Sequence, residues 1–137
     1  MKYYLLLTPI VFLSFSSKNR MFQEEKASIK FETLLIERKD IKYGTDNLFI
    51  FKFKNTGKVP LIIRVQTSCG CVKASGPKDP IPPKGKSEIE VMYDTKRVGM
   101  FTKSITVYPS IGEPIILTIK GNVLSAPVES DGEIKKN

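Results

Sequence analysis

The residues best suited to chemistry in this sequence are its two cysteines, Cys69 and Cys71, which flank Gly70. Residues two apart in a β-strand point to the same face, so their sulfur atoms would lie side by side. Four arrangements are open. In the first, the cysteines are reduced and fill a small buried space, and in the second they form a disulfide with each other. In the third they hold a metal as thiolates, and in the fourth they pair with another chain. An intramolecular disulfide needs a turn, which Gly70 favours, and a strained disulfide of this kind should be easily reduced, which would allow a redox role.

Other catalytic or metal-binding combinations are scarce. The sequence contains no histidine, which excludes Ser-His-Asp triads, Cys-His pairs and histidine metal sites. Two thiolates are too few for zinc, so a metal there would be linear Cu(I) or would need a partner molecule. Glu88, Glu90 and the nearby Asp94 follow the alternation of a strand whose polar side faces water. We therefore predict a protein that is not an enzyme and has neither a cofactor nor a metal site.

The chain is basic, with a formal net charge of +8 over 137 residues. A nucleic-acid-binding protein gathers such charge on one helix or stripe. Here the basic side chains lie on separate segments, among them Lys52, Lys54, Lys58, Arg64, Lys73, Lys84, Lys86, Lys103 and Lys120. We expect no nucleic-acid partner, and only a weak attraction to acidic lipids, anionic glycans or an acidic protein surface.

The N-terminus has the order of parts of a secretory signal peptide, which we assign to residues 1–16. Lys2 precedes an apolar run over residues 5–13, and small serines follow. We expect cleavage after Ser16 or Ser17, with an uncleaved anchor as the alternative. No second apolar span follows, so the mature protein should be exported to the periplasm or cell surface and lack a transmembrane segment.

From Ser28 onward, apolar and polar residues alternate with a period of two, interrupted by turn residues. The pattern predicts an all-β protein, an immunoglobulin-like antiparallel β-sandwich of about seven strands, with a barrel as the alternative. A first strand starts at Ile29 and continues loosely through Ile36. Residues 48–54 and 61–67, joined by a turn, predict an antiparallel hairpin.

The sandwich is expected to occupy residues 28–124. Residues 17–27 are polar and irregular, which is typical of a flexible lead-in. Residues 125–137 form a polar C-terminal tail.

Several motifs together resemble those of a family of small exported bacterial proteins of unknown function. The motifs are Phe51-Lys52-Phe53-Lys54-Asn55-Thr56-Gly57, Pro60-Leu61-Ile62-Ile63, Ser68-Cys69-Gly70-Cys71, Pro82-Pro83-Lys84-Gly85, Tyr93-Asp94-Thr95, Gly99-Met100-Phe101 and Gly121-Asn122-Val123. The signature residues expected to serve structure are Asn55, Thr56, Gly57, Pro60, Leu61, Gly70, Gly99 and Gly121. The resemblance covers residues 29–123. One departure is that no lipid-attachment cysteine follows the apolar run, although many members of the family have one.

That family is similar to Hydin-type (ASH) and PapD-like immunoglobulin-like domains. The resemblance implies a seven-stranded sandwich with a binding or scaffolding role, and it supplies no catalytic residues. Our leading hypothesis is a non-catalytic module of the bacterial cell envelope that binds protein or glycan through loops at one end or through a sheet edge. The rival hypothesis is a redox-active or metal-binding envelope protein centred on Cys69-Gly70-Cys71.

Overall fold

The computed structural model describes residues 28–126, which form two four-stranded sheets packed face to face. The strands are β1 (Ile29–Phe31), β2 (Leu35–Ile41), β3 (Leu48–Asn55), β4 (Ile63–Thr67), β5 (Val72–Ser75), β6 (Lys86–Tyr93), β7 (Gly99–Pro109) and β8 (Ile115–Val123). Sheet A has the order β1-β3-β6-β5 and sheet B the order β2-β8-β7-β4. The all-β immunoglobulin-like sandwich predicted from the alternation is confirmed.

The ends of the chain cannot be compared with the sequence-based expectations. The assigned signal peptide, the lead-in over residues 17–27 and residues 127–137 of the tail lie outside the described residues.

The predicted first strand is two strands in different sheets. The segment from Ile29 to Phe31 is β1 of sheet A, and Ile36 belongs to β2 of sheet B. Ile29 and Phe31 point towards the core from odd positions, whereas Ile36 does so from an even one. One regular strand cannot bury all three, because side chains alternate with a period of two. Together with the short β5, this split gives eight strands in the described residues.

The predicted hairpin of residues 48–54 and 61–67 is wrong. β3 pairs with β1 and β6 in sheet A, whereas β4 pairs with β7 in sheet B. Both segments have one apolar face, and that face can be buried equally well whether the two strands are neighbours in one sheet or, as here, lie in opposite sheets. After the crossing, Leu61 forms an isolated bridge with Ile81.

The core lies between the two sheets and is made by the inward-facing side of each strand. Its fully enclosed side chains include Phe49, Phe51, Ile89, Val91, Ile105, Val107, Leu117 and Ile119. Burying a side chain of this size stabilises the fold by about 1.5 to 3 kcal/mol. At one end, Tyr93 of sheet A stacks on Phe101 of sheet B with ring centroids 3.7 Å apart. That stack fixes the distance between the two sheets at this end of the sandwich.

Candidate functional site

The two cysteines lie where the chain crosses from β4 of sheet B to β5 of sheet A. They are joined to each other by a disulfide, with Cα atoms 5.3 Å apart. The N–H of Val72 donates to the carbonyl of Cys69 at 3.3 Å and closes the turn. The N–H of Asp94 donates to the carbonyl of Cys71 at 3.0 Å, which ties the turn to the end of β6. The disulfide therefore holds a tight connection at one end of the sandwich.

The two sulfur-bearing residues differ in their surroundings. Cys71 is buried, with 8% of its surface exposed, whereas Cys69 is half-buried against the edge of the core and Gly70 between them is exposed. An attacking thiolate would therefore reach the disulfide most easily from the side of Cys69, since access governs thiol–disulfide exchange.

A cleft of about 320 Å³ opens beside the disulfide. Its walls are the turn of residues 44–47, the segment of residues 70–73 and the end of β6 with the residues after it, 92–96. The walls are tied together, because Thr95 Oγ1 donates to the carbonyl of Thr45 at 2.5 Å and the N–H of Gly44 donates to the carbonyl of Thr95 at 3.2 Å. The cleft is thus a preformed feature held by backbone contacts.

The cleft combines an exposed methionine with charges of both signs. Met92 is 43% exposed in it, and Tyr43 beside its wall is 41% exposed. Burial raises the pKa of Tyr93 above its ordinary value of 10.0; Arg97 opposes the rise and Asp94 adds to it. Asp46, Asp94, Lys73 and Lys96 complete the lining. Exposed Met and Tyr side chains surrounded by charges are typical of the centre and rim of a protein-binding surface.

Lys103 lies on β7 close to where β4 ends, and the sequence analysis names it only among the scattered basic residues. It is half-buried on the inner side of β7, between the buried Phe101 and Ile105, and it interrupts the apolar run of that side. Thr67 pairs with Ile105, and the N–H of Ser68 donates to the carbonyl of Ser104. Continuing this register places Lys103 opposite Cys69. The only signal in the sequence is a lysine at a position where the alternation expects an apolar residue.

The structure does not gather the carboxylates considered in the sequence. Glu88 lies opposite Lys52, and Glu90 lies opposite Ile50 on the outer side of sheet A, whereas Asp94 lines the cleft. In residues 28–126, no group of three or more Cys, Asp or Glu side chains is arranged to hold a metal ion.

The signature residues are divided between the two ends of the sandwich. Gly70, Gly99 and Gly121 lie towards the disulfide end, where Phe101 pairs with Gly121. The others surround Asn55 at the opposite end, where β3 finishes: Thr56, Gly57, Pro60 and Leu61. Asn55 is completely buried; its side-chain amide donates to the carbonyls of Val59 and Ile81 and its oxygen accepts from Gly57. This cluster organises the crossing that replaces the predicted hairpin.

Residues 29–123 match the family described as Protein of unknown function (DUF1573), and the chain belongs to this family. No curated protein matches the chain in sequence.

Solved structures with the same fold are distant in sequence. The ASH/PapD-like domain 7 of human CEP192 has a TM-score of 0.63 and 9% identity, over 93% of this chain and 99% of that one. A protein of unknown function from Porphyromonas gingivalis W83 has a TM-score of 0.63 and 13% identity, over 72% of this chain and 47% of that one. The CsuC–CsuE chaperone–tip adhesion subunit complex of Acinetobacter baumannii has a TM-score of 0.55 and 10% identity, over 70% of this chain and 57% of that one. At such identities the likeness concerns the fold.

The described part of the chain contains no helix with the length and apolarity needed to cross a membrane.

Proposed function

We propose that this protein is a non-catalytic, exported module of the bacterial cell envelope that binds another protein through the cleft beside the Cys69–Cys71 disulfide. The observation that carries the proposal is a preformed cleft with an exposed methionine and a nearby exposed tyrosine among charges of both signs. Aromatic side chains and methionine are enriched in protein interfaces. The tied walls of the cleft reduce the entropy lost on binding.

The longest edge strand, β2, is poorly suited to the other mode of binding, the addition of a partner strand. Thr33 Oγ1 accepts from the N–H of Leu35 at 3.3 Å and donates to its carbonyl at 2.8 Å. The backbone groups of the first residue of β2 are therefore already hydrogen-bonded within the chain. The register is interrupted between Arg38 and Ile41, and Asp40 there has a φ of 56°. Bulges and charges are the devices that keep other strands from pairing with an edge. The loop end is therefore the better binding surface.

A protein partner suits the cleft better than a glycan does. Sugar binding commonly uses an exposed aromatic platform inside the site, whereas Tyr93, the aromatic residue that lines this cleft, is only 8% exposed and stacks on Phe101, and the exposed Tyr43 lies outside the lining. The CsuC–CsuE structure is by its description a chaperone bound to an adhesion subunit. A protein-binding role for a related fold supports the proposal by analogy alone.

Site-specific photo-crosslinking in the native organism tests the binding surface. A photoreactive amino acid in place of Met92, which is 43% exposed, should give a discrete crosslinked species. The same amino acid in place of Ile116, which is 61% exposed on the outer side of sheet B, should not. Equal crosslinking at both positions, or none at Met92, would contradict binding at the cleft.

Export is tested separately, by intact mass of the protein recovered from the envelope fraction. We expect a mass that lacks residues 1–16 or 1–17 and a chain that resists alkylation under denaturing conditions because its cysteines are paired. A full-length chain in the cytoplasm would contradict export without bearing on the cleft.

A second candidate function, thiol–disulfide exchange, is favoured by the half-buried Cys69 and by Lys103 opposite it. A lysine next to a reduced cysteine favours the nucleophilic thiolate. In this reaction a partner dithiol would pass two electrons and two protons to the Cys69–Cys71 disulfide and become a disulfide itself.

The double variant Cys69→Ser/Cys71→Ser distinguishes the two functions. If the protein acts by binding at the cleft, the folded variant should keep crosslinking at position 92, because hydrogen bonds between residues 44–45 and Thr95 still hold the cleft walls. If the protein exchanges disulfides, the variant should lose its ability to change the thiol state of other envelope proteins.

A further inference from the structure

Three lysines lie directly opposite one another across sheet A, although they are far apart in the sequence. Lys30 of β1 pairs with Lys54 of β3, and Lys54 pairs with Lys86 of β6. We call Lys30, Lys54 and Lys86 the lysine row. All three side chains are exposed.

The lysine row departs from the way other charges are paired in the described sheets. Glu37 lies opposite Lys120, and Lys52 lies opposite Glu88, so these cross-strand pairs carry opposite charges. Like charges directly opposite each other destabilise a sheet. Such a repulsive arrangement therefore calls for a reason outside the folding of the domain.

Within residues 28–126, carboxylates do not neutralise the lysine row by direct pairing. The nearest in register are Glu32 and Glu88, two residues further along their strands, and both flank Lys52. In residues 28–126, the one ion pair within 4.0 Å joins Arg97 to Asp94, away from the row. The ammonium groups of the row are thus available to an external anion.

Two more exposed lysines extend the row at the same end of the sheet. Lys84 precedes β6, and its N–H donates to the carbonyl of Asn55 at the end of β3. Lys58 lies in the turn that follows β3. Five cationic side chains therefore surround the end of the sandwich at which β1 begins.

The shape of this surface fits a planar array of anions. Neighbouring strands are about 4.8 Å apart, so the row spans about 10 Å across the outer side of a sheet. A small single anion would contact only part of such a row. A surface of anionic lipid headgroups can contact all of it and the two flanking lysines together.

We propose that the lysine row, with Lys58 and Lys84, docks the domain on a surface of anionic phospholipids. Lys54 is six positions along β3 from Leu48, whose partner Met92 lines the cleft. That separation corresponds to about 20 Å. Lipid binding at one end and protein binding at the other can therefore occur together, and either can fail without the other.

Cosedimentation of the full chain with vesicles tests the docking. One set of vesicles consists of phosphatidylcholine, and the other contains phosphatidylglycerol as well. The row variant is Lys30→Gln/Lys54→Gln/Lys86→Gln. The control variant, Lys39→Gln/Lys42→Gln/Lys120→Gln, removes the same charge from exposed positions on or beside sheet B.

We expect the wild type to prefer the anionic vesicles and to lose that preference as salt is raised. The row variant should lose on the order of a hundredfold in partitioning to them, since each surface lysine contributes roughly a fivefold factor. The control variant should lose much less. The apolar N-terminus is common to all three proteins and cannot cause the difference.

Three results would overturn the proposal. The first is equal binding of the wild type to both kinds of vesicle, and the second is an equal loss in the two variants, which would mean that only net charge matters. The third is row-dependent binding to soluble polyglutamate without binding to vesicles, which would assign the lysines to an acidic polymer. Thermal unfolding of both variants verifies that each remains folded.

Discussion

Single polar and small residues hold this sandwich together where its strands end. Asn55 connects three segments of the chain by side-chain hydrogen bonds although it is surrounded by the core. A buried amide can be tolerated only when its donors and acceptor are all satisfied. The asparagine of the Asn55-Thr56-Gly57 motif therefore makes its side-chain hydrogen bonds within the domain.

Replacing Asn55 with alanine should destabilise the domain by about 2 to 4 kcal/mol, because the carbonyls of Val59 and Ile81 and the N–H of Gly57 would lose a partner in a buried site. Denaturant unfolding measures the change. Thr56→Ala is the control, since it removes one exposed hydrogen bond to Ser28 and should cost about 0.5 kcal/mol. An equal loss of stability in the two variants would mean that the buried hydrogen bonds of Asn55 contribute no more than the exposed hydrogen bond of Thr56.

The signature glycines differ in what a side chain would meet. A Cβ on Gly121 would lie 2.6 Å from the Phe101 ring and 2.8 Å from Ile41, whereas a Cβ on Gly70 would meet nothing within 4 Å. Gly121→Ala should therefore destabilise the domain by about 1 to 3 kcal/mol, since the Phe101 ring is held by its stack on Tyr93. Gly70→Ala should change stability by about 0.5 kcal/mol or less. Thermal unfolding of both variants compares them.

At the scale of the strand, one alternating pattern serves two purposes. The inner side of β3 supplies Phe49, Phe51 and Phe53 to the core, and its outer side supplies Lys52 and Lys54 to the solvent. The register of the neighbouring strands then decides the electrostatic environment of each lysine. Lys52 lies between Glu32 and Glu88, whereas Lys54 lies between Lys30 and Lys86.

The two lysines should therefore respond oppositely to removal of their charge. Lys54→Gln should stabilise the domain and Lys52→Gln should destabilise it, each by a few tenths of a kcal/mol to about 1 kcal/mol. Denaturant unfolding at low and high salt measures both changes, and high salt should shrink them because it screens exposed charges. If both substitutions shifted stability in the same direction, the register of the lysine row would be contradicted.

For the molecule as a whole, the two ends of the sandwich have different characters. One end carries the disulfide, the cleft and the Tyr93–Phe101 stack, and the other carries Asn55 and the lysine row. Rigid strands separate the two ends. This separation is the basis for proposing a protein-binding site and a lipid-binding surface on one small domain.

Alkaline pH should lower the stability of the domain through Tyr93, which lies at the disulfide end. Burial raises the pKa of Tyr93, so above about pH 10 the unfolded chain releases this proton while the folded chain retains it. The folded state then binds more protons than the unfolded state, and stability falls as pH rises. Stability measured as a function of pH should show a smaller alkaline decline in Tyr93→Phe. An identical decline in the variant would assign the loss to other groups.

The sequence by itself determined the fold class, because a period of two in side-chain polarity is a local property that each strand carries. It also determined family membership, since the motifs around Asn55, Cys69-Gly70-Cys71 and Gly121 lie within short segments. The change from odd to even apolar positions between Phe31 and Ile36 is also visible in the sequence. Such a change indicates that one regular strand cannot include both residues.

Only the tertiary structure decided which strands are neighbours, and this pairing in turn decided which residues lie together in the candidate sites. Periodicity states which side of a strand is buried but leaves its partner undefined, because both sheets offer an equally apolar inner side. The hairpin prediction was wrong for that reason. The same long-range pairing places Lys30, Lys54 and Lys86 in one row and Lys103 opposite Cys69, neither of which the spacing along the chain reveals.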